Sequence, residues 1–254
     1  MRVSNSQIQC YKSCRRLYEL QYVYGVKALS TSQAIETGLG YHAKIEHLFQ
    51  TGEVLMDENP KTSAMAQAFA NHILPELHPV AQEEWFEYGS GSNAVLGRID
   101  ARNEDGAIIE HKTTSGDIDE MYWYTRYTDE QLMTYMLAYG TNKAYYTVCK
   151  TPSIRQKQNE TEEQFFKRCV EWYDEDTESK IAMRLIEIPE EQLREFEYMQ
   201  KATIEEMKNC KLFYRNTGYC NKWNKLCEYA PICQQYDPEQ NYVGFEKKEV
   251  RGND

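Results

Sequence analysis

Leu96-Gly97-Arg98-Ile99-Asp100 is followed closely by Ile108-Ile109-Glu110-His111-Lys112-Thr113. Side chains alternate along a strand, so Glu110 and Lys112 share one face and His111 points to the other. Between the two runs, Asn103-Glu104-Asp105-Gly106 is a tight-turn sequence, and the spacing predicts an antiparallel hairpin. Asp100 stands three residues before that turn and Glu110 four after it, which brings the two carboxylates to one end of the hairpin. Paired carboxylates without a cationic partner repel each other. A divalent cation between them relieves the repulsion, and a hard, all-oxygen site suits Mg²⁺ or Mn²⁺. Such an ion acidifies bound water and polarises a phosphoryl oxygen. Lys112 can orient that water or offset the charge that develops at phosphorus. A Glu-x-Lys triplet alone is a common exposed charge row; an Asp one short hairpin upstream sets this one apart.

These residues need a framework. Ser6 to Gln9 reads as a capping box opening a helix with Ile8, Tyr11, Cys14, Tyr18 and Tyr22 at helical spacing. Helices are predicted over about 32–50, stopping at Gly52, and about 61–74, stopping before Pro75. Strands are predicted over 81–88, 94–103 and 106–113, with residues 89–93 linking the first two. Thr128 to Gln131 reads as a second capping box, for a helix through about Tyr139 that ends at Gly140. A strand over 143–150, an acidic helix near 160–175, a strand near 182–188 and a helix from Pro189 to about Asn209 follow. The order implies an α/β core, a central mixed sheet flanked by helices, with a helical N-terminal part.

Residues 210–237 have little periodicity and carry Cys220-x6-Cys227-x5-Cys233. Thiolates around a metal can organise a segment that has no core of its own. The short Cys-x-x-Cys knuckles of zinc ribbons are absent, whereas an iron–sulfur cubane takes four cysteines at wider spacing. Cys149 and Cys169 read as packing residues.

The net charge is −11 over 254 residues, which weighs against a nucleic-acid partner. The charge is uneven, however. Residues 1–27 hold Arg2, Lys12, Arg15, Arg16 and Lys27 against Glu19 alone, and 207–226 hold Lys208, Lys211, Arg215, Lys222 and Lys225 with no acid. A basic surface on an acidic body is therefore expected. Nothing approaches the roughly 18 apolar residues of a membrane span, and MRVSNSQIQC has no signal-peptide character. A cytoplasmic protein is expected, in which eight cysteines do not build a disulfide framework. One domain is expected over 1–254, with 237–254 as a flexible tail.

Gly-Arg-Ile-Asp100 followed by Glu110-His-Lys112-Thr resembles the PD-(D/E)XK nuclease superfamily, whose restriction-endonuclease-like core matches the fold just inferred. The branch it is most similar to is that of RecB/AddB-type exonucleases and CRISPR-adaptation nucleases, which includes small phage-encoded members. That branch carries a Gly-x-x-x-His motif, matched by Gly38-Leu-Gly-Tyr-His42 with Glu46 one turn on. It also carries Gln-x-x-x-Tyr, matched by Gln131-Leu-Met-Thr-Tyr135, whose spacing puts both side chains on one helix face. The resemblance implies that His42, Asp100, Glu110 and the backbone carbonyl of His111 bind metal. It makes Lys112 the catalytic lysine, and has Gln131 and Tyr135 position Lys112 or the DNA backbone. Glu83 or Glu84 corresponds to an acid present in some members; the sequence does not choose between them. Taken alone, His42 would be an ordinary helix histidine, and His47, His72 and His78 match nothing.

Members of that branch bind a four-iron four-sulfur (4Fe–4S) cluster through one cysteine of the first helix and three near the C-terminus. By this resemblance Cys14, Cys220, Cys227 and Cys233 are the ligands, with 1–30 and 205–236 forming one cluster subdomain. The six-residue interval between Cys220 and Cys227 is longer than in many members, and Cys10 and Cys210 remain alternatives to Cys14. The implied function is metal-dependent hydrolysis of DNA, single-stranded or with free ends, by exonuclease action. With no Walker A motif, a helicase or a recombination or adaptation protein would be a separate partner. The competing reading is a catalytically weak or inactive adaptor subunit of nuclease fold in a DNA-processing complex, which the acidic net charge favours.

Overall fold

The structure is a computed structural model, and it describes residues 1–30, 32–90, 93–222 and 225–248. The chain divides into two compact units: Met1–Thr31, Glu87–Gly97 and Glu195–Asp254 form one, and Ser32–Phe86 with Arg98–Arg194 the other. The strands Pro79–Ser90 and Asn93–Asn103 each have residues in both units.

The second unit is built on a mixed sheet. Residues 98–103 of the strand Asn93–Asn103 pair antiparallel with Ile108–Thr114, in the register Ala101 to Ile109 and Arg102 to Ile108. Ile108–Thr114 pairs parallel with Lys143–Lys150, which pairs antiparallel with Ile181–Glu187. The hairpin turn is the one the sequence demands. Gly106 sits at φ 82°, a backbone region costly for other residues, and the Asp105 carboxylate accepts the Ala107 N–H at 3.1 Å.

One sheet face is covered by the helices Gln33–Thr51, Pro60–His72 and Glu162–Asp174. Tyr41, Ile45, Leu48, Met65 and Phe69 pack there against Ala101, Ile109 and Cys149, and Tyr173 closes the cluster. Cys149 and Cys169 are buried thiols of this packing, as their sequence surroundings imply. Lys44, on the first of these helices, is only 2% exposed, and its ammonium is paired with Asp57. Removing the acid would strand a buried charge. Asp57→Asn is therefore expected to destabilise the protein by about 1–3 kcal/mol, discounted because Asp57 is 42% exposed. Lys44→Met in the same chain should recover most of that loss in a urea melt. The Lys44 bond and the Asn59 N–H hold the Asp57 carboxyl below its ordinary range against the cost of burial. This stabilisation is complete above the usual aspartate pKa and disappears as pH falls through the lowered one.

In the first unit, Arg2–Ser4 pairs parallel with residues 94–96, and Val3, Ile8, Tyr11, Tyr18, Val95, Ile204 and Met207 form a core. The first helix opens two residues earlier than its sequence implies. Ser4 and Gln7 form the capping box, because pairing to 94–96 holds Ser4 extended at φ −91°, ψ 161°. Nor is that helix continuous. It runs Asn5–Ser13, breaks at Cys14, which is extended at φ −161°, ψ 113°, and resumes at Arg15. Residues expected to form a tail include the strand Phe245–Lys247, paired antiparallel with Val26–Ala28; 249–254 lie outside the described residues. Among the described residues no helix is long and apolar enough to cross a membrane.

Candidate active site

The carboxylate hairpin lies wholly in the second unit. Its ladder stops at Ala101 and Ile109. One step further, Asp100 turns its side chain to the neighbouring strand and its Oδ2 accepts the His111 N–H at 2.8 Å. The other Asp100 oxygen lies 3.3 Å from Nδ1 of His42, which the Gln33–Thr51 helix delivers from the covering layer. Burial opposes charge on Asp100, but the His42 bond and the positive groups around it hold its carboxyl down at about 2. His42 responds in kind: burial disfavours its proton, and Asp100 overcomes that and raises its pKa.

Glu110 is 3% exposed at its side chain, and burial, with help from nearby Asp100, pushes it up to about 7 against the pull of Lys112. Its Oε1 is bonded to the Lys112 ammonium, while Oε2 is buried without a hydrogen-bond partner. Such an acceptor is costly unless a proton or a cation meets it. Lys112 also donates to Gln131 Oε1 at 3.1 Å, and Gln131 Nε2 donates to the Tyr135 hydroxyl at 2.6 Å. Both come from the helix Glu130–Tyr139, so Glu110, Lys112, Gln131 and Tyr135 form one chain of hydrogen bonds. The N-cap of that helix is Asp129, not Thr128; its carboxylate accepts the N–H groups of Gln131 and Leu132. Strand alternation holds for His111. Its ring is buried on the opposite face, edge-on to Phe69 at 5.0 Å, with Nδ1 2.8 Å from Thr147 Oγ1. Burial lowers its pKa to about 4, so the ring is neutral.

Among the described residues, one group of side chains has the spacing of an ion site. Ligand atoms of His42, Glu83 and Asp100 all lie within 4.8 Å of one another. The sequence left Glu83 and Glu84 undecided; the structure brings Glu83 to Asp100 and His42, while Glu84 pairs with Arg102. Glu83 has a φ of 49°, the one described residue other than glycine with positive φ. That is a strained conformation of the kind found at functional sites. Burial and the neighbouring Asp100 and Glu46 raise its pKa against the attraction of Arg98, whose Nε is 2.6 Å away. Glu110 is outside this group, with one oxygen engaged by Lys112. Two acids gathered on one histidine, with Asp100 raising the pKa of Glu83, are the donor set that a hard divalent cation stabilises.

Carboxylates and a lysine held together at the end of a β-hairpin in an α/β fold make up the equipment for metal-assisted hydrolysis of a phosphodiester. The chain belongs to the PD-(D/E)XK nuclease superfamily, whose family model matches residues 2–93 and 78–234. No curated protein matches it. Among solved structures it is similar to a phage-related exonuclease from Haemophilus somnus 129PT, at 12% identity and a TM-score of 0.38, over 82% of this chain and 95% of that one. It is also similar to an alkaline exonuclease from Laribacter hongkongensis, at 15% identity and a TM-score of 0.35, over 71% and 83% of the two chains. The family assignment rests on the family model, not on these distant likenesses.

The first unit contains six of the eight cysteines. Cys14, Cys220, Cys227 and Cys233 line one cavity of about 170 Å³, with Leu17, Leu20 and Asn216. The Asn216 N–H points at Cys14 Sγ at 3.4 Å, and the Arg16 and Arg215 guanidinium groups donate to the Cys233 carbonyl. Cys10 and Cys210 are not in that lining; Cys10 bonds Gln21, and burial pushes its thiol up to about 12. The basic stretches near both chain ends also meet within this unit. The Arg16 N–H bonds the Tyr214 carbonyl, and the Arg15 guanidinium lies over the Tyr11 and Tyr214 rings.

Proposed function

We propose that the protein is a metal-dependent DNA nuclease that hydrolyses phosphodiester bonds with Mg²⁺ or Mn²⁺ and acts as an exonuclease on DNA ends. The observation that carries this reading is the convergence of His42, Glu83 and Asp100 beside a lysine fixed by Glu110 and Gln131. His42, Asp100, Glu110 and the His111 carbonyl, joined by Glu83, would hold the ion. When bound, the ion supplies charge neutralisation and a more acidic water. The residues of the chain do the rest. Burial disfavours the Lys112 ammonium, but Glu110 and Asp100 more than compensate and raise its pKa, so it stays charged. It carries that charge toward the phosphate under attack, and Gln131, braced by Tyr135, fixes its direction. The His111 N–H and His42 keep Asp100 ionised and oriented. Incubating end-labelled linear DNA and circular DNA with Mg²⁺ and with Mn²⁺ tests the reading. Loss of label from linear DNA with circles intact is expected. Cut circles would make the protein an endonuclease, and no cutting with either ion would favour the adaptor reading.

The RecB/AddB-like branch and its 4Fe–4S cluster belong to the same proposal, with Cys14, Cys220, Cys227 and Cys233 as ligands. The shared cavity supports them. A cubane there would tie Cys14 to the C-terminal segment across a long loop. Protein purified without oxygen should be brown, absorbing at ~400 nm. Cys14→Ser should lose iron, and Cys10→Ser should keep it; colourless protein with stoichiometric zinc would refute the cluster. A helicase or a recombination or adaptation protein would supply DNA ends to this module.

A further inference from the structure

Trp85 is 73% exposed, on the strand Pro79–Ser90. A single exposed apolar side chain says little by itself; an indole, however, offers a large flat face to a partner. Its position gives it meaning. Trp85 lies two residues beyond Glu83 on the strand Pro79–Ser90, and Arg98 links the two. The Arg98 Nε is ion-paired with Glu83 at 2.6 Å, and the guanidinium lies over the indole, 5.6 Å from the ring centroid. Glu83 in turn belongs to the group with His42 and Asp100. The exposed ring is therefore one side chain removed from the atoms that would meet the scissile phosphate. It is held there on two sides: by an arginine, and by a strand whose geometry is set at the positive φ of Glu83. The ring is thus pre-oriented, and a base stacked on it gives up little freedom on the protein's side.

We propose that Trp85 is a stacking platform for a nucleobase next to the scissile phosphate, so that the site takes a strand with unstacked bases, single-stranded or frayed at its end. This rests on the reading of the protein as a DNA nuclease and names the form of DNA it grips. Bases of a paired duplex are already stacked on their neighbours, whereas a single strand offers a free π-face of any sequence. Arg98, half-exposed at 50%, adds a cation beside the same base and its phosphate.

Binding reads this out without requiring catalysis. Fluorescence anisotropy in EDTA, in the full-length Lys112→Ala chain, compares an oligothymidine with a strand of abasic nucleotides of equal length. Both carry the same backbone charge, and only one has bases. With Trp85 present, the abasic strand should bind about tenfold more weakly, in the range found for removal of one aromatic stacking contact. Adding Trp85→Ala should close that gap by weakening the oligothymidine alone, and Trp85→Phe should keep a good part of it. The side chain is on the surface, so these variants should melt like the parent. An equal gap with and without Trp85, equal binding of the two strands by the parent, or no binding of either would overturn the proposal. Cutting by the otherwise wild-type enzyme in Mn²⁺ reports on the reaction separately. Cutting with no role for Trp85 in binding sinks the platform alone. Trp85-dependent binding with no cutting sinks hydrolysis and leaves the platform.

Discussion

Lys112→Ala should lower kcat for DNA cutting by about two to four orders of magnitude, the range for losing one group that stabilises charge or moves a proton in a transition state. The same variant should still bind Mn²⁺, because Lys112 is not among the groups that would hold the ion. Its bonds to Glu110 and Gln131 make the prediction sharper. Gln131→Ala removes a guide and leaves the charge, so it should cost less than Lys112→Ala. Lys112→Arg keeps the charge but cannot keep the geometry, since a planar guanidinium does not fit a site shaped for a compact ammonium. Single-turnover cutting of labelled DNA at saturating Mn²⁺ separates these effects from binding. Full activity in Lys112→Ala would remove the lysine from the mechanism.

Asp100→Asn should be at least as damaging, and for another reason. Asp100 answers to both His42 and the His111 N–H, and its carboxyl is held at about 2, so it is ionised at any pH at which the protein would work. An amide keeps the shape and loses the charge that a hard cation requires. Metal affinity should fall by more than about 100-fold, the upper range for losing a group that merely supports a ligand. Activity at fixed Mn²⁺ should fall with it, and excess Mn²⁺ should restore part of that activity. A loss that no Mn²⁺ concentration relieves would point to collapse of the hairpin, which a circular-dichroism melt would reveal.

Much of this architecture is legible in the sequence where one signal dominates. The strand 143–150 coincides with its predicted limits because a short run of aromatic and β-branched residues between two lysines signals a strand, here buried along Tyr146–Cys149. The hairpin at 103–106 is legible because its turn residues demand it. Where two local signals compete, tertiary structure decides. Ser4-Asn-Ser-Gln7 and Ser6-Gln-Ile-Gln9 are both capping boxes, and only the pairing of Arg2–Ser4 with 94–96 selects the first. Asp129 takes the cap from Thr128 in a similar way, because its carboxylate reaches two N–H groups at once. The break at Cys14 is silent in the sequence, since the spacing from Ile8 to Tyr22 continues through it. Glu83 could not be told from Glu84 by alternation, because a positive φ at Glu83 interrupts the pleat on which alternation depends. The Gly-x-x-x-His and Gln-x-x-x-Tyr spacings, in contrast, predict which helix face each residue takes, and the folded chain brings His42 to Asp100 and Gln131 to Lys112.

Paramagnetic resonance of Mn²⁺ titrated into the purified protein addresses the metal site itself, apart from any DNA. One tightly bound ion per chain is expected, displaced by Mg²⁺, retained in Lys112→Ala, and lost in Asp100→Asn and in the double variant Glu83→Gln with His42→Ala. A chain that binds no Mn²⁺, or binds it equally well without Asp100, would contradict a cation held by these side chains.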